Sequence, residues 1–300
     1  MKNNKIIIIL GPTASGKSDV AIKLAKKFNG EIISADSRQI YRHADLTTGK
    51  ITQKEQAMIK HHLIDILSLS SYWSANQFQK KAQKIITDIL SRDKLPIICG
   101  GTGFWIKTLI DGIVFPEVKP DWKLRARLNK FSTQKLFSML KRLDARRAKN
   151  IDSKNKVRLI RAIEIAKKLG SVPKIIKHGT WNMEHNFLQI GLDISKEKLH
   201  TNIKKRLQKR LKMGMIKEVE SLHKKYGVSW KRLENLGLEF RWIARFLQHK
   251  INQEEMEAKL YFDIIHYAKR QITWFQKDSS IKWLKDYRKI ETTVNKFLKK

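Results

Sequence analysis

Cysteine is almost absent from this chain of 300 residues, which contains a single one, Cys99. One thiol excludes an internal disulfide framework and a four-cysteine zinc site, and such scarcity is typical of a reducing cytoplasm. Because Cys99 lies within the apolar segment LPIICGG, we interpret it as a small buried strand residue and not as a nucleophile. No apolar run approaches the roughly 18 residues that a membrane-spanning helix needs. We therefore expect a cytoplasmic globular protein with no membrane partner.

Acidic residues are scarce as well. The chain has 28 of them against 63 lysines and arginines, so its formal net charge is +35. A surplus of this size attracts polyanions, which makes nucleic acid the leading partner. The alternative is a general enrichment of lysine on solvated surfaces, because surface charge reports on association and not on fold. Composition alone leaves both explanations open.

The most informative stretch is residues 6–18, IIIILGPTASGKS. Its continuous apolar run predicts a strand buried on both faces, and the G-x-x-x-x-G-K-S that follows fits the phosphate-binding loop of ATP-binding and other nucleotide-binding proteins. Apolar residues then recur at helical spacing from Val20 to Phe28, so the positive end of a helix faces the loop. The motif predicts a polyphosphate site in which Lys17 neutralises a phosphate and the Ser18 hydroxyl holds Mg²⁺.

Two further predicted strands end in polar residues. Residues 31–34 are followed by Asp36, at a position where open α/β sheets place ligands, although aspartate also commonly caps a turn or a helix. Residues 95–99 are followed by a glycine-rich turn that can bring the Thr102 hydroxyl to the same ligand. Strands that alternate with helices predict an α/β fold with a parallel, doubly wound sheet.

The pattern changes near Pro116. From there to about residue 186 the sequence predicts no strand, and basic residues are frequent, which indicates a helical insertion with a positive surface. An apolar strand over residues 187–194 is then expected to rejoin the sheet. We accordingly divide the chain into residues 1–115 (first part of a phosphate-loop core), 116–186 (helical RNA-binding insertion), 187–290 (completion of the core with C-terminal helices) and 291–300 (a frayed basic tail).

Six segments resemble, in order and in spacing, the bacterial tRNA dimethylallyltransferases, also called isopentenyl-tRNA transferases. They are GPTASGKS at 11–18, SADSRQIY at 34–41, HHLIDI at 61–66, GGTG at 100–103, RLIRAIE at 158–164 and KRQITWF at 269–275. The resemblance covers nearly the whole chain. It implies a kinase-like core whose helical insertion grips the anticodon stem-loop. The implied reaction moves the dimethylallyl group of dimethylallyl diphosphate to N6 of adenosine 37 in tRNAs that read codons starting with U.

The resemblance also implies roles for individual residues. The implied catalytic residues are Asp36, as general base on the N6 amino group, Lys17 and Thr102, and Ser18 would hold the cofactor Mg²⁺. Those implied to bind the diphosphate are Gly11, Thr13, Ala14, Ser15, Gly16, Lys17 and Ser18. Those implied to bind tRNA are Asp36, Ser37, Arg38, Gln39, Thr102, Arg125, Val157, Arg158, Leu159, Ile160, Arg161, Lys269, Arg270 and Gln271. One catalytic centre per chain indicates a monomer.

Two segments depart from the pattern of the family. Where relatives often read Asp-Ile-Gly-Thr-Ala-Lys, residues 45–50 here are Asp-Leu-Thr-Thr-Gly-Lys. Where relatives commonly have Gly-Tyr and a basic residue, residues 237–239 here are Gly-Leu-Glu. The alternative function is a P-loop small-molecule or nucleotide kinase, which shares the loop and the parallel sheet. That class requires neither the charge of +35 nor the insertion.

Overall fold

The structure, a computed structural model, describes residues 4–174, 176 and 185–299 in two compact units. The first unit joins residues 1–111 to 180–300, and the second comprises residues 112–179. The insertion expected at 116–186 overlaps the second unit, and its last part includes residues 177–184, which lie outside the described residues.

Six strands of the first unit form one sheet: β1 (Lys5–Leu10), β2 (Gly30–Ser34), β3 (His61–His62), β4 (Leu95–Gly100), β5 (Asn186–Leu192) and β6 (Lys282–Leu284). Their spatial order is β3, β2, β4, β1, β5, β6, and every pair of neighbours is parallel. The predicted parallel sheet is therefore confirmed. The strand expected after the insertion rejoins it as β5, beside β1.

The helices, in chain order, are α1 (Lys17–Lys27), α2 (Asp45–Thr48), α3 (Gln53–Met58), α4 (Ala75–Ser91), α5 (Gly103–Ile110), α6 (Trp122–Leu128), α7 (Thr133–Leu143), α8 (Ala145–Lys149), α9 (Lys156–Leu169), α10 (Lys196–Lys212), α11 (Met215–Lys224), α12 (Trp230–Leu236), α13 (Leu238–Leu247), α14 (Gln253–Phe275) and α15 (Tyr287–Lys299). In the first unit, α1 and α15 pack on one face of the sheet, whereas α4, α5 and α10 to α14 cover the other. None of the described helices is both long and apolar enough to cross a bilayer.

The central strand β1 explains the continuous apolar run near the N-terminus. Ile6, Ile8 and Leu10 face the large helical layer, while Ile7 and Ile9 face the layer of α1 and α15. All five are fully buried, because both faces of the strand are covered. The helix that follows β1 and the helix that follows β4 lie on opposite faces. This reversal between neighbouring strands opens a crevice at their carboxyl ends.

The long helix α14 begins with the predicted capping box of Asn252 and Glu255, but its buried face differs from the expected one. The apolar spacing predicts a stripe of Ala258, Tyr261, Ile265, Ala268, Ile272 and Phe275. The buried residues are instead Met256, Leu260, Ile264, Ala268, Gln271 and Phe275, and Ala258 is exposed. The predicted face is rotated about the helix axis from the observed one, because one position of the buried stripe is occupied by a polar residue, Gln271.

The C-terminal residues are ordered in helix and do not form the frayed tail expected at 291–300. Up to Lys299 they belong to α15, and Lys300 lies outside the described residues. Ile290 and Val294 are buried against the sheet layer, and Lys27 of α1 bonds to Glu291. The many lysines suggested a frayed tail, although apolar residues recur there at the spacing of an amphipathic helix.

The second unit is built from α6 to α9 around a small apolar core. At its centre Glu164 is 2% exposed and accepts hydrogen bonds from Arg125 Nη2 at 2.7 Å, from Arg125 Nε at 2.9 Å and from the Asp121 N–H at 2.6 Å. Arg161 forms a further ion pair with this carboxylate and donates to the Val118 carbonyl at 2.9 Å. A buried carboxylate is stable only with such partners.

Candidate active site

The loop after β1 has the geometry of an anion-binding turn. Gly11, Ala14 and Gly16 have φ angles of 146°, 60° and 89°, and α1 begins directly afterwards at Lys17. The buried Ser15 hydroxyl has no hydrogen-bond partner within the described part of the chain. A buried polar atom without a partner is costly, so this hydroxyl fits a site that is completed by an anionic oxygen.

The turns that follow β4 and β2 lie beside this loop. Ala35 donates to the Cys99 carbonyl at 2.8 Å, and Thr102 donates to the Ala35 carbonyl at 3.1 Å. A Cβ at Gly100 would lie 2.2 Å from the Ala35 oxygen, so only glycine allows this approach. The Thr102 hydroxyl in turn accepts the Ser37 N–H at 3.0 Å. Thr102 therefore orders the turn that carries Asp36.

The structure brings Asp36 into the electrostatic field of Lys17. Burial lowers the pKa of Lys17 to about 8, while Cys99 and Asp36 act to raise it and Arg206 lowers it further. The Lys17 ammonium donates to the Pro12 carbonyl at 2.5 Å. Asp36 Oδ1 accepts the Arg38 N–H at 2.9 Å, so this residue caps its own turn, which is one of its two predicted roles.

Cys99, at the end of β4, lies in the same field. Burial raises the pKa of its thiol to about 11, and the nearby Lys17 only partly offsets this effect. The thiol is therefore protonated near neutral pH, although the residue is partly exposed and not fully buried as expected.

Gln271 of α14 is a site residue that the sequence analysis assigned to another role. Its Nε2 donates to the Gly101 carbonyl at 2.9 Å, and its Oε1 accepts the Thr13 N–H at 2.8 Å. The side chain is buried and ties the phosphate-binding loop to the turn after β4, so its amide is not presented to RNA as predicted. A polar residue at a buried position of a helical stripe is the signal that points to such a bridge.

Helix α10 supplies two contacts that the sequence analysis missed. Asn202 Nδ2 donates to the Ala14 carbonyl at 3.1 Å. Arg206 donates to the Gly49 carbonyl at 2.9 Å and to the Thr13 hydroxyl at 3.4 Å. Burial lowers the pKa of Arg206, yet a guanidinium stays charged, so the loop faces a second fixed cation besides Lys17.

Among the residues predicted to bind tRNA, Arg38 and Gln39 make contacts within the protein. Arg38 Nη2 donates to the Leu236 carbonyl at 2.5 Å, and Gln39 accepts from the Ser34 hydroxyl at 3.1 Å. Lys269 and Arg270 are exposed on α14, where they line a surface cavity of about 470 Å³ together with His266, Thr273, Trp274 and Lys277. A cationic surface with an accessible indole suits RNA.

The predicted tRNA-binding residues of the second unit are of two kinds. Val157 and Arg158 are exposed, and Arg125 and Arg161 are partly exposed while they pair with Glu164. Leu159 and Ile160 differ from the prediction because they are buried in the core of this unit. They were predicted to bind tRNA because they lie between the arginines of the motif, but successive residues of a helix point in different directions.

A glycine-rich anion loop beside a carboxylate, at a reversal point of a parallel sheet, is typical of proteins with a P-loop core. The family model described as IPP transferase matches residues 39–278, and the chain belongs to this family. A relative in Treponema denticola, tRNA dimethylallyltransferase 2, is 43% identical over 278 residues, which cover 92% of each chain.

Solved structures agree. The full-length tRNA isopentenylpyrophosphate transferase of Bacillus halodurans is 32% identical, with a TM-score of 0.72 over 98% of this chain and 95% of its own. A eukaryotic dimethylallyltransferase acting on tRNA is 25% identical, with a TM-score of 0.74 over 91% of this chain and 70% of its own. The chain is thus an enzyme of the prenyl transferase class, and the kinase alternative is not supported.

Proposed function

We propose that this chain transfers the dimethylallyl group of dimethylallyl diphosphate to N6 of adenosine 37 in tRNAs that read codons starting with U, giving isopentenyladenosine. The observation that supports this most strongly is that hydrogen bonds with Thr102 hold the turn of Asp36 beside the phosphate-binding loop, close enough for Asp36 to act on the pKa of Lys17. The leaving diphosphate needs a cation, and the attacking amine needs a base, on either side of one reacting carbon.

The diphosphate would lie in the loop of residues 11–18. Its oxygens accept the loop N–H groups and the unpartnered Ser15 hydroxyl, while Lys17 and Arg206 neutralise charge. Gln271 accepts the Thr13 N–H and Asn202 donates to the Ala14 carbonyl, which fixes the loop backbone and leaves its other N–H groups for the diphosphate. Little reorganisation is therefore needed as charge develops on the departing group.

Ser18 offers one hydroxyl ligand to a magnesium ion. Ser18 lies in the first turn of α1 and borders a cavity of about 20 Å³ that is also lined by Ser34 and Gln39. This volume is enough for about one water molecule with several polar partners. When bound by Ser18, Mg²⁺ supplies positive charge to the diphosphate oxygens. Ser18 would hold the ion, and the hydroxyl and amide groups of the cavity would orient its water.

The acceptor chemistry rests on Asp36. The N6 lone pair attacks C1 of the dimethylallyl group, the C1–O bond breaks with its electron pair on the diphosphate, and the N6 proton passes to Asp36. An exocyclic amine is a poor nucleophile, so the base must approach it within about 3 Å. Thr102 fixes the Asp36 turn through the Ser37 N–H. Ser37 would then face the target nucleotide, whereas the Gln39 amide is bonded to Ser34 and Gly49.

The RNA would be held by cations on both units. On the first unit, Lys269 and Arg270 contact the backbone and Trp274, which is 37% exposed, offers a stacking surface for a base. On the second unit, Arg158 is free to reach phosphates, while Arg125 and Arg161 present their outer N–H groups from a fixed position on Glu164. The target adenosine lies in a loop, so its extrusion costs little.

The enzyme would act as a monomer in the cytoplasm, where its tRNA substrates are made. All residues proposed for the chemical step belong to the first unit of one chain, which supports one complete centre per molecule. Sedimentation of the protein with and without tRNA measures the stoichiometry, and a one-to-one complex is expected.

The proposal is tested with purified protein, Mg²⁺, dimethylallyl diphosphate and unmodified tRNA. We expect the tRNA to gain one five-carbon group by mass spectrometry. In Asp36→Asn, turnover should fall by about 10²- to 10⁴-fold because the base is lost, while the Kd for tRNA stays unchanged. Asp93→Asn, an exposed aspartate next to the opposite end of β4, is the matched control. Full turnover of Asp36→Asn would contradict the assigned base.

A further inference from the structure

The short helix α2 is held at its amino end by Glu218 of α11. This carboxylate accepts the N–H groups of Asp45, Leu46 and Thr47 at 2.9, 2.8 and 2.7 Å, and it also accepts the Thr47 hydroxyl at 2.5 Å. These are the donors that a helix leaves unpaired at its start, and a negative charge is favoured there. These hydrogen bonds fix the position of the amino end of α2.

The carboxyl side of the same segment is held by Arg210 of α10. Its Nη1 donates to the Leu46 and Thr47 carbonyls at 3.0 and 3.3 Å, and its Nη2 donates to Glu239 at 2.8 Å. The two charged side chains are only 10% and 12% exposed. A cation buried to this extent keeps its position only while its counter-ion is present, because an unpaired buried charge is strongly unfavourable.

Gly49 is the last residue of this segment, residues 45–49, and its carbonyl binds Arg206, the second cation beside the phosphate-binding loop. The Gly49 carbonyl accepts from Arg206 at 2.9 Å and from Gln39 at 3.4 Å. Gly49 has a φ of 59°, and a Cβ there would lie 1.9 Å from Nη2 of Arg206. The guanidinium can therefore approach this carbonyl only because residue 49 is glycine, and from there it reaches Thr13 of the phosphate-binding loop.

The two segments that depart from the family pattern thus meet around neighbouring arginines. Gly49 lies against Arg206, and Glu239 pairs with Arg210, one turn further along α10. Besides burial, the Arg210 charge lowers the pKa of Arg206, and Glu239 raises it, so both members of the pair act on Arg206. An unpaired Arg210 would repel Arg206 and release the Leu46 and Thr47 carbonyls.

We infer that Arg210 and Glu239 form a positioning pair that holds residues 45–49 and thereby sets Arg206 against the phosphate-binding loop. This inference rests on the proposed function, because it assigns Arg206 to the diphosphate. Neither member of the pair contacts the substrate. Their effect is on diphosphate affinity, and tRNA affinity should not depend on them.

The test measures binding of inorganic pyrophosphate with Mg²⁺ by calorimetry, alongside KM for dimethylallyl diphosphate. In Glu239→Gln we expect pyrophosphate to bind about tenfold more weakly, since one charge-assisted contact of Arg206 is lost. KM for the diphosphate should rise by a similar factor, with kcat and the Kd for tRNA nearly unchanged. Glu220→Gln, which breaks the exposed pair with Lys224 on α11, is the matched control and should change nothing.

The exchanged pair Arg210→Glu with Glu239→Arg separates positioning from simple charge balance. It restores an ion pair, but a glutamate at 210 cannot donate to the Leu46 and Thr47 carbonyls. Its melting temperature should therefore recover toward the wild-type value while pyrophosphate binding stays weak. Gly49→Ala, which displaces the Arg206 guanidinium directly, should weaken pyrophosphate binding to the same extent, and it provides the answer even if the exchanged pair does not fold.

The inference is wrong if Glu239→Gln and Gly49→Ala bind pyrophosphate like the wild type. It is also wrong if the exchanged pair regains full affinity, because the pair then only balances charge. The proposed function fails separately. A wild-type protein that binds pyrophosphate in the predicted way but adds no prenyl group to tRNA would overturn the assigned reaction and leave the positioning pair intact.

Discussion

At the scale of single residues, the environment of Lys17 decides how the loop responds to pH. The ammonium is desolvated and accompanied by the Arg206 guanidinium, and the Asp36 carboxylate offsets only part of this cost. Its pKa of about 8 in the free protein lies well below the value of 10.5 for an unperturbed lysine. The lysine therefore loses its charge within the range in which the enzyme can be assayed.

We expect affinity for pyrophosphate to fall as the pH rises above about 8, because Lys17 must then take up a proton to bind the anion. Folding responds with the opposite sign. The unfolded chain binds this proton more tightly than the folded one, so the free energy of unfolding should rise between about pH 8 and 10.5. Calorimetry and denaturant titration across this range measure both trends.

Lys17→Met removes the titrating group and is the control for these measurements. Its pyrophosphate affinity should be low and independent of pH between about 7 and 9, and its stability should lose the rise above pH 8. A wild-type affinity that is flat across this range would contradict the assigned position of Lys17.

At the scale of elements, the second unit depends on one carboxylate of α9. Glu164 joins α9 to α6 through Arg125 and to the N-terminal cap residue of α6, Asp121. Burial acts to raise the pKa of Glu164, but the bonds from Arg125, from the Asp121 N–H and from Arg161 hold it below its ordinary value. The stabilisation that this charge provides is present above the ordinary carboxyl pKa and is lost as the pH falls through the lowered one.

Removal of this carboxylate should therefore melt the second unit first. In Glu164→Leu, two guanidinium groups lose a buried partner, and we expect a loss of about 3–5 kcal/mol in that unit. The Kd for tRNA should rise sharply while pyrophosphate binding by the first unit is kept. Glu117→Leu, at an exposed position of the same unit, is the control. Retained tRNA affinity in Glu164→Leu would exclude this unit from the RNA interface.

At the scale of the whole molecule, a net charge of +35 governs how the protein meets RNA. Cations that contact phosphates release counter-ions from the nucleic acid, so the affinity for tRNA should fall steeply with salt. Only part of the surplus charge contributes, because some basic residues are occupied within the protein, as Arg206 and Arg210 are. The slope of log K for tRNA against log salt concentration measures how many basic residues contact RNA phosphates.

The double variant Lys269→Gln with Arg270→Gln should reduce the slope of log K against log salt by about 2, one for each lost phosphate contact. Lys296→Gln is the control, because α15 packs on the other face of the sheet from α14. Fluorescence anisotropy with a labelled anticodon stem-loop at several salt concentrations measures both. An unchanged slope in the double variant would remove α14 from the RNA interface.

The sequence by itself determined the features that are continuous along the chain. The phosphate-binding loop, its flanking strand and helix, and the strands ahead of Asp36 and Thr102 follow from local spacing and from the chemistry of glycine. The alternation of predicted strands with helices also predicted the parallel sheet, and the continuous apolar run of β1 predicted that both of its faces are covered. The presence of β5 and the capping box of α14 were predictable for the same local reason, although β5 spans Asn186–Leu192 and not 187–194.

Only the tertiary structure decided which distant side chains complete the site. Gln271 lies 258 residues from the Thr13 amide that it accepts, and Arg206 lies 157 residues from Gly49. Periodicity reports which face of a helix is buried, but it carries no information about the partner of a polar residue on that face. Burial near the loop requires each of these groups to find a partner, and the packing of α10 and α14 onto the sheet determines which one it meets.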